Sequence, residues 1–304
     1  MMYGHYPNKI EKSGRCGKAL CVTLLLLGIL SCTQQAYASH RMNAGLIQGP
    51  KALLATGGEV RERGPRSAAM GGCATALEGD AAAALMNPAM LYGQASGGLL
   101  FWTPTRFGLT ELGSAAGVWV QSLSGWNAAV GLQRFGSELY AEHRIHCAAA
   151  FPVGGALSAG VRLAALHIGI VHYGSIVVPL VDAGVRCRLS EGFTLAASGY
   201  SLNMPSIGDG ERLPAGLSAG LAWEDDECTL ALDGEKESRQ DLNLRLGAEY
   251  RFLERFALRC GAATLSRIWT AGFALRHASF RIEYALAVHS ELGVTHTVGI
   301  GFEP

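Results

Sequence analysis

The feature that most constrains this chain is a period-two alternation of apolar and polar residues, repeated in segments of about ten residues from Ser96 to Pro304. In Leu242-Asn243-Leu244-Arg245-Leu246-Gly247-Ala248-Glu249-Tyr250, one set is Leu242, Leu244, Leu246, Ala248 and Tyr250. The other is Asn243, Arg245, Gly247 and Glu249. Phe280, Ile282, Tyr284 and Leu286 alternate with Arg281, Glu283 and Ala285, and His296, Val298, Ile300 and Phe302 with Thr295, Thr297, Gly299 and Gly301. Only an extended strand sends successive side chains to opposite faces. The rhythm predicts strands at 97–105, 113–121, 125–135, 143–152, 155–168, 179–189, 192–202, 213–224, 227–235, 241–252, 255–264, 267–276, 278–288 and 294–303. The first two or three are the weakest, so the count is about 12–14, even-numbered as in bacterial barrels.

Such a chain closes either as a soluble β-sandwich or as a membrane barrel with its apolar face in lipid. Composition favours the barrel. Of 304 residues only 16% are charged and 40 are Gly, against roughly 25% and about 7% in an ordinary soluble domain. The polar face is built of Gly, Ala, Ser and Thr with scattered Arg and Glu, and the last strand carries Phe302 two residues from the end. No stretch after the first 38 residues is apolar for about 18 residues or more, which excludes a helical membrane protein. A net charge of +0 argues against a nucleic-acid partner. Connections at Val153-Gly154 and Glu191-Gly192 read as tight turns, and those at Gly169 to Val178 and Asn203 to Arg212 as longer loops.

The first 38 residues read as a secretory signal. Lys9, Lys12, Arg15 and Lys18 precede the apolar run Leu20 to Leu30, and Ala36-Tyr37-Ala38 offers a cleavage site. A lipidated Cys32 is the rival reading. The remaining cysteines, Cys73, Cys147, Cys187, Cys228 and Cys260, are far apart and odd in number, which suits small apolar fillers better than a disulfide framework.

Residues 64–94 break the rhythm. They are rich in Ala and small residues and read as short helices and turns, with a double glycine at Gly71-Gly72 and a new element starting at Pro88. Arg66-Ser67, Met70-Gly71-Gly72, Glu78-Gly79-Asp80 and Asn87-Pro88-Ala89 resemble the N-terminal signature of the FadL-like outer-membrane proteins, most closely their PorV/PorQ branch. Cys73 stands where that pattern has Ala, and Met90 where it has Gly. Softer similarity continues at Leu213-Pro214, Gly247-Ala248-Glu249-Tyr250, Leu258-Arg259-Cys260-Gly261, Tyr284-Ala285 and Leu292-Gly293-Val294-Thr295-His296.

The resemblance implies an all-β fold: an antiparallel transmembrane barrel of about 14 strands whose small, partly helical N-terminal segment folds inward as a hatch. The expected organisation is a signal peptide over 1–38, a hatch over 39–95 and a barrel over 96–304. In the PorV branch the barrel is a partner in protein export, which implies a secretion translocon or secreted proteins as partners. In FadL-like transporters a hydrophobic small molecule, such as a long-chain fatty acid, leaves sideways through the wall. This chain is shorter than the fatty-acid transporters and lacks room for their large external loops, so the export reading leads and the channel is the alternative.

Charge on the lipid face costs about 2–4 kcal/mol for Arg or Lys near the midplane. Arg162, Asp182, Arg186, Arg245, Glu249, Arg259, Arg281 and Glu283 should therefore point into the lumen, with Glu78 and Asp80 as natural hatch partners for the arginines. Trp102, Trp119, Trp126, Trp223 and Trp269 fall near proposed strand ends, as in an aromatic girdle, or else pack in a core. No catalytic constellation, metal site or cofactor motif stands out. His143 and His146, three apart on a strand, face opposite sides, as would any such pair. A lipid-modifying enzyme would need something like His296 with Ser266 or Ser279, which no motif supports.

Overall fold

The computed structural model describes residues 61–208, 211–253, 255–265 and 267–304. The signal-peptide and Cys32 readings lie outside them. Among the described residues sixteen strands occur in chain order: β1 (Gly97–Thr103), β2 (Ser114–Leu123), β3 (Trp126–Gly136), β4 (Tyr140–Gly154), β5 (Leu157–Ile170), β6 (Gly174–Ser190), β7 (Phe193–Tyr200), β8 (Ser206–Gly208), β9 (Glu211–Arg212), β10 (Gly216–Glu224), β11 (Cys228–Glu237), β12 (Asn243–Phe252), β13 (Phe256–Ala263), β14 (Ile268–His277), β15 (Phe280–His289) and β16 (Gly293–Phe302). All but β8 and β9, which pair with each other in the 201–215 connection, form one closed antiparallel barrel. Closure is made by β1 against β16, with Gly98 opposite Phe302 and Trp102 opposite Val298.

Each of the fourteen expected segments corresponds to one barrel strand. The alternation also resolves in the expected sense. Leu244 and Leu246 are 44% and 58% exposed, while Arg245 and Glu249 between and beyond them are buried. Phe280 and Ile282 face out and Glu283 is wholly buried. A sandwich would hide the leucines between two sheets; here they stand on the outside of a closed cylinder, so the outer face is the one made for lipid.

The connections divide by rim. At one rim the turns are 124–125, 155–156, 191–192, 225–227, 253–255 and 278–279, all of two or three residues, and β1 begins and β16 ends there. At the other lie 104–113, 137–139, 171–173, 201–215, 238–242, 264–267 and 290–292. Short turns face the periplasm in outer-membrane barrels, which orients the molecule. The long loop expected from Gly169 to Val178 is instead strand. The β-branched run Ile176-Val177-Val178 continues the ladder until Ile170 meets Gly174, and His172 takes a positive φ of 68° in the turn.

Aromatic side chains gather near the short-turn rim, with Phe280 against Phe302 and Phe193 against Trp223 at centroid separations of 5.3 and 6.4 Å. Trp102, Trp119 and Trp126 are exposed on the outer face, as a girdle requires. Cys228 and Cys260 are buried with Ala248 on that face beneath Trp223, Tyr250 and Leu258.

The main core lies inside the barrel. The N-terminal segment contributes α1 (Gly64–Ala69), α2 (Ala83–Met86) and a 3-10 turn at Pro88–Leu91. Leu85, Met86 and Leu91 pack on Leu99, Phe101, Val118 and Val120, and Met70, Leu77 and Met90 on Ala196, Ala222 and Ala231.

Candidate functional site

The lumen site is assembled from small residues first. The segment is seated by wall glycines that face inward. A Cβ on Gly247 would lie 2.6 Å from the Met70 carbonyl oxygen, one on Gly272 2.6 Å from Ala69 Cβ, and one on Gly299 2.7 Å from Pro65 Cγ. Gly261 meets Gly71 and Met70 closer still. Across the barrel, a Cβ on Gly160 would sit 2.5 Å from the Ala89 amide nitrogen, and Gly184 has no room beside Asn87. The Met70-Gly71-Gly72 block therefore presses on β12 and β13, and the Asn87-Pro88-Ala89 block on β5 and β6. Gly71 has a φ of 68° and its own Cβ position lies 2.5 Å from the Leu246 carbonyl, so both its conformation and its contact demand glycine. Asn87 is extended, as the residue before a proline should be. Its Oδ1 accepts from the Ala89 amide at 3.1 Å and its Nδ2 donates to the Thr75 carbonyl at 2.8 Å.

Charges then lock the seat. Arg66 on α1 donates from Nε and Nη2 to both oxygens of Glu249, at 3.0 and 2.9 Å. Glu249 also accepts from Arg259 at 2.6 Å and Arg251 at 2.7 Å. Arg259 reaches on to Glu283 at 2.6 Å. Arg281 stands 3.4 Å from Glu283, 3.9 Å from Asp80 and 3.0 Å from Glu303. Burial opposes the Arg66 charge, but Glu249, Glu224 and Asp80 together outweigh it and hold the guanidinium above its ordinary value. Burial, then Glu283, pushes the Asp80 carboxyl up.

A second node binds the end of α2. Arg162 donates to Asp182 at 2.7 Å and to the carbonyls of Ala84 and Leu85. The third is Glu78, 3.4 Å from Arg186 and 2.7 Å from Arg188, while Arg186 also holds the Tyr92 carbonyl at 2.7 Å. Arg245 pairs with Glu235. Arg162, Asp182, Arg186, Arg245, Glu249, Arg259, Arg281 and Glu283 are placed on the inner side of the wall, with Glu78 against Arg186 and Arg188 and Asp80 3.9 Å from Arg281.

Sequence reasoning missed the acids of β11. Glu235 takes Arg63 at 2.8 Å and Arg61 at 3.4 Å. Asp233 accepts the amides of Ala74 and Thr75 at 2.7 and 2.9 Å. The signal was present: Asp233, Glu235 and Glu237 alternate with Leu232, Gly234 and Lys236, the same rhythm that exposed the others.

The segment divides the lumen into a cavity of about 190 Å³ towards the long-loop rim, lined by Arg61, Arg63, Arg106 and Thr297 among others, and two of about 400 and 420 Å³ towards the short turns. These are polar. A larger hollow of about 980 Å³ lies on the lipid-facing side of the wall at β1–β5, bordered by β15 and β16. Its lining is apolar: Leu100, Trp119, Val130, Leu132, Ile145 and Leu163 surround Gly98 and Gly117, where the wall lacks side chains. Leu100 is folded over Gly117, and Trp119 lies 2.8 Å from where a Gly98 Cβ would be.

His296 is bonded to the Tyr284 hydroxyl at 2.7 Å, Ser279 lies in the short turn 278–279 at the far end of the strand, and Ser266 is outside the described residues. Among the described residues no group of three metal-ligating side chains converges, and Cys73, Cys147, Cys187, Cys228 and Cys260 form no disulfide with one another.

No family model matches the chain, and no curated protein matches it. Solved structures do. The Ralstonia pickettii toluene transporter TbuX superposes with a TM-score of 0.59 at 16% identity, covering 80% of this chain and 98% of that one. The monoaromatic hydrocarbon channel CymD gives 0.60 at 15%, covering 79% and 97%. A Pseudomonas aeruginosa FadL homologue gives 0.55 at 11%, covering 79% and 98%. The chain has the fold of the FadL-like barrels of the bacterial outer membrane.

Proposed function

We propose that this protein is an outer-membrane channel for small hydrophobic molecules, with residues 39–95 as the hatch that follows a signal peptide over 1–38. The observation that carries the reading is the apolar hollow of about 980 Å³ on the lipid-facing side of the wall, at the upper end of the roughly 300–1,000 Å³ typical of small-molecule sites. An apolar solute gains nothing in a lumen crossed by ion pairs. It would have to displace bonded charges whose separation costs about 3–5 kcal/mol each. A route that uses the apolar wall avoids that cost. The solved hydrocarbon channels that share this fold favour this reading over a role in protein export, which the sequence resemblance put first.

Reconstituted vesicles test it. Uptake of toluene or a long-chain fatty acid should exceed that of empty vesicles, and Gly117→Phe or Ile145→Trp, which fill the hollow, should lower it severalfold while leaving the barrel folded. Uptake no faster than in empty vesicles would overturn the channel. Recovery of the protein in a stable complex with a large translocon would move the assignment to export.

A further inference from the structure

The lipid-facing surface of β2–β6 changes character at one level. On β3 the outward residues run Val130, Leu132 and then Arg134; on β4, Phe151, Ala149, Cys147, Ile145 and then His143; on β5, Val161, Leu163, Ala165 and then His167. The three basic residues are lateral neighbours. Arg134 is directly opposite His143, His143 is directly opposite His167, and the two imidazole centroids are 5.9 Å apart. Among the described residues, no carboxylate shares the outward face of these strands; Glu142 points inward to the Tyr140 hydroxyl, and Glu138 lies beyond, in the 137–139 turn.

Height places the row. Eight residues at about 3.3 Å each, tilted by about 40°, put His143 roughly 20 Å above Phe151, close to the top of the roughly 25 Å apolar band of such a barrel. The rim above is the long-loop rim, so the row meets the headgroup layer of the outward leaflet. A guanidinium and two imidazoles there offer several N–H donors aimed at one level. The anion fixed at that level is the phosphate of a lipid headgroup, and charge-assisted bonds from Arg are strong with such oxygens.

We propose that Arg134, His143 and His167 bind the phosphate group of an outer-leaflet lipid on the outside of the wall. The site is separate from the hatch and does not depend on the channel reading. Native mass spectrometry of the detergent-purified full-length protein tests it, titrating a bisphosphorylated lipid A, the same lipid with its phosphates removed, and inorganic phosphate alone. The wild type should prefer the phosphorylated lipid. Arg134→Gln should weaken it about fivefold, as one basic residue near a charged membrane surface is worth. Adding His143→Gln and His167→Gln should bring it to the level of the dephosphorylated lipid. Arg267→Gln removes the same charge from the same rim, 75% exposed in the 264–267 turn, and should change nothing. Equal binding of both lipids by the wild type overturns the proposal, as does a triple variant that binds like the wild type. Inorganic phosphate binding as tightly as the lipid would show an anion site without lipid recognition and overturn it too.

Discussion

Glu249 is the side chain on which the lumen network turns. It is nine-tenths or more buried and accepts from three arginines, of which Arg66 belongs to the N-terminal segment and Arg251 and Arg259 to the wall. Removing it takes the shared acid from all three; Arg259 keeps Glu283 and Arg251 keeps Glu224, but the buried Arg66 loses its carboxylate, and breaking a buried pair in this way costs about 3–5 kcal/mol. Glu249→Ala should lower the temperature at which the protein unfolds in detergent, and it should raise single-channel conductance because α1 loses its anchor. Conductance indistinguishable from the wild type would mean that the segment is held without this acid. Arg66 and Glu249 were both legible in the sequence, one from its motif and one from its strand face. Their partnership was not, since they are separated by 183 positions and several acids competed for the same arginine.

At the scale of elements, the barrel and its insert are fitted through glycine. An added Cβ at Gly160 would collide with the backbone at Pro88–Ala89 and one at Gly261 with Met70–Gly71, and neither backbone has a flexible end that could move aside. Overpacking of this kind typically costs about 1–3 kcal/mol. The cheaper response is for the segment to leave rather than for the wall to open. Gly160→Val and Gly261→Val should therefore keep the strand signal in circular dichroism while raising entry of large antibiotics into cells. Unchanged antibiotic entry would argue that the seat tolerates a side chain. The high glycine content read from composition finds a specific cause here: several of those residues are the contact surface for a second piece of chain.

For the molecule as a whole, fourteen strands close through β1 and β16 and leave the barrel no free edge. Its backbone polar groups are paired around the ring, so the fold should persist in detergent until heated. Unboiled protein should migrate faster on a denaturing gel than boiled protein, in the outer-membrane fraction; a single position in both states would contradict a stable closed barrel. The rim asymmetry belongs to this scale too. From the sequence the loops around 169–178 and 203–212 looked comparable. In the structure the first is mostly ladder and the second carries β8 and β9, because cross-strand pairing extended one hairpin beyond the point where its hydrophobic rhythm was clear.

The sequence by itself determined where the strands run, their number to about 12–14, and which side of each meets lipid, because a two-residue period is a local property that every strand states on its own. The charged residues of the lumen followed, since an ion facing hydrocarbon is too costly to be placed there. Only the tertiary structure decided which acid answers which arginine, which glycines receive the segment, that Arg134, His143 and His167 form one row, and that small residues on neighbouring strands open a hollow on the lipid-facing side of the wall. Each of these depends on register between strands far apart in the chain, and register is set by closing the whole ring rather than by any one segment.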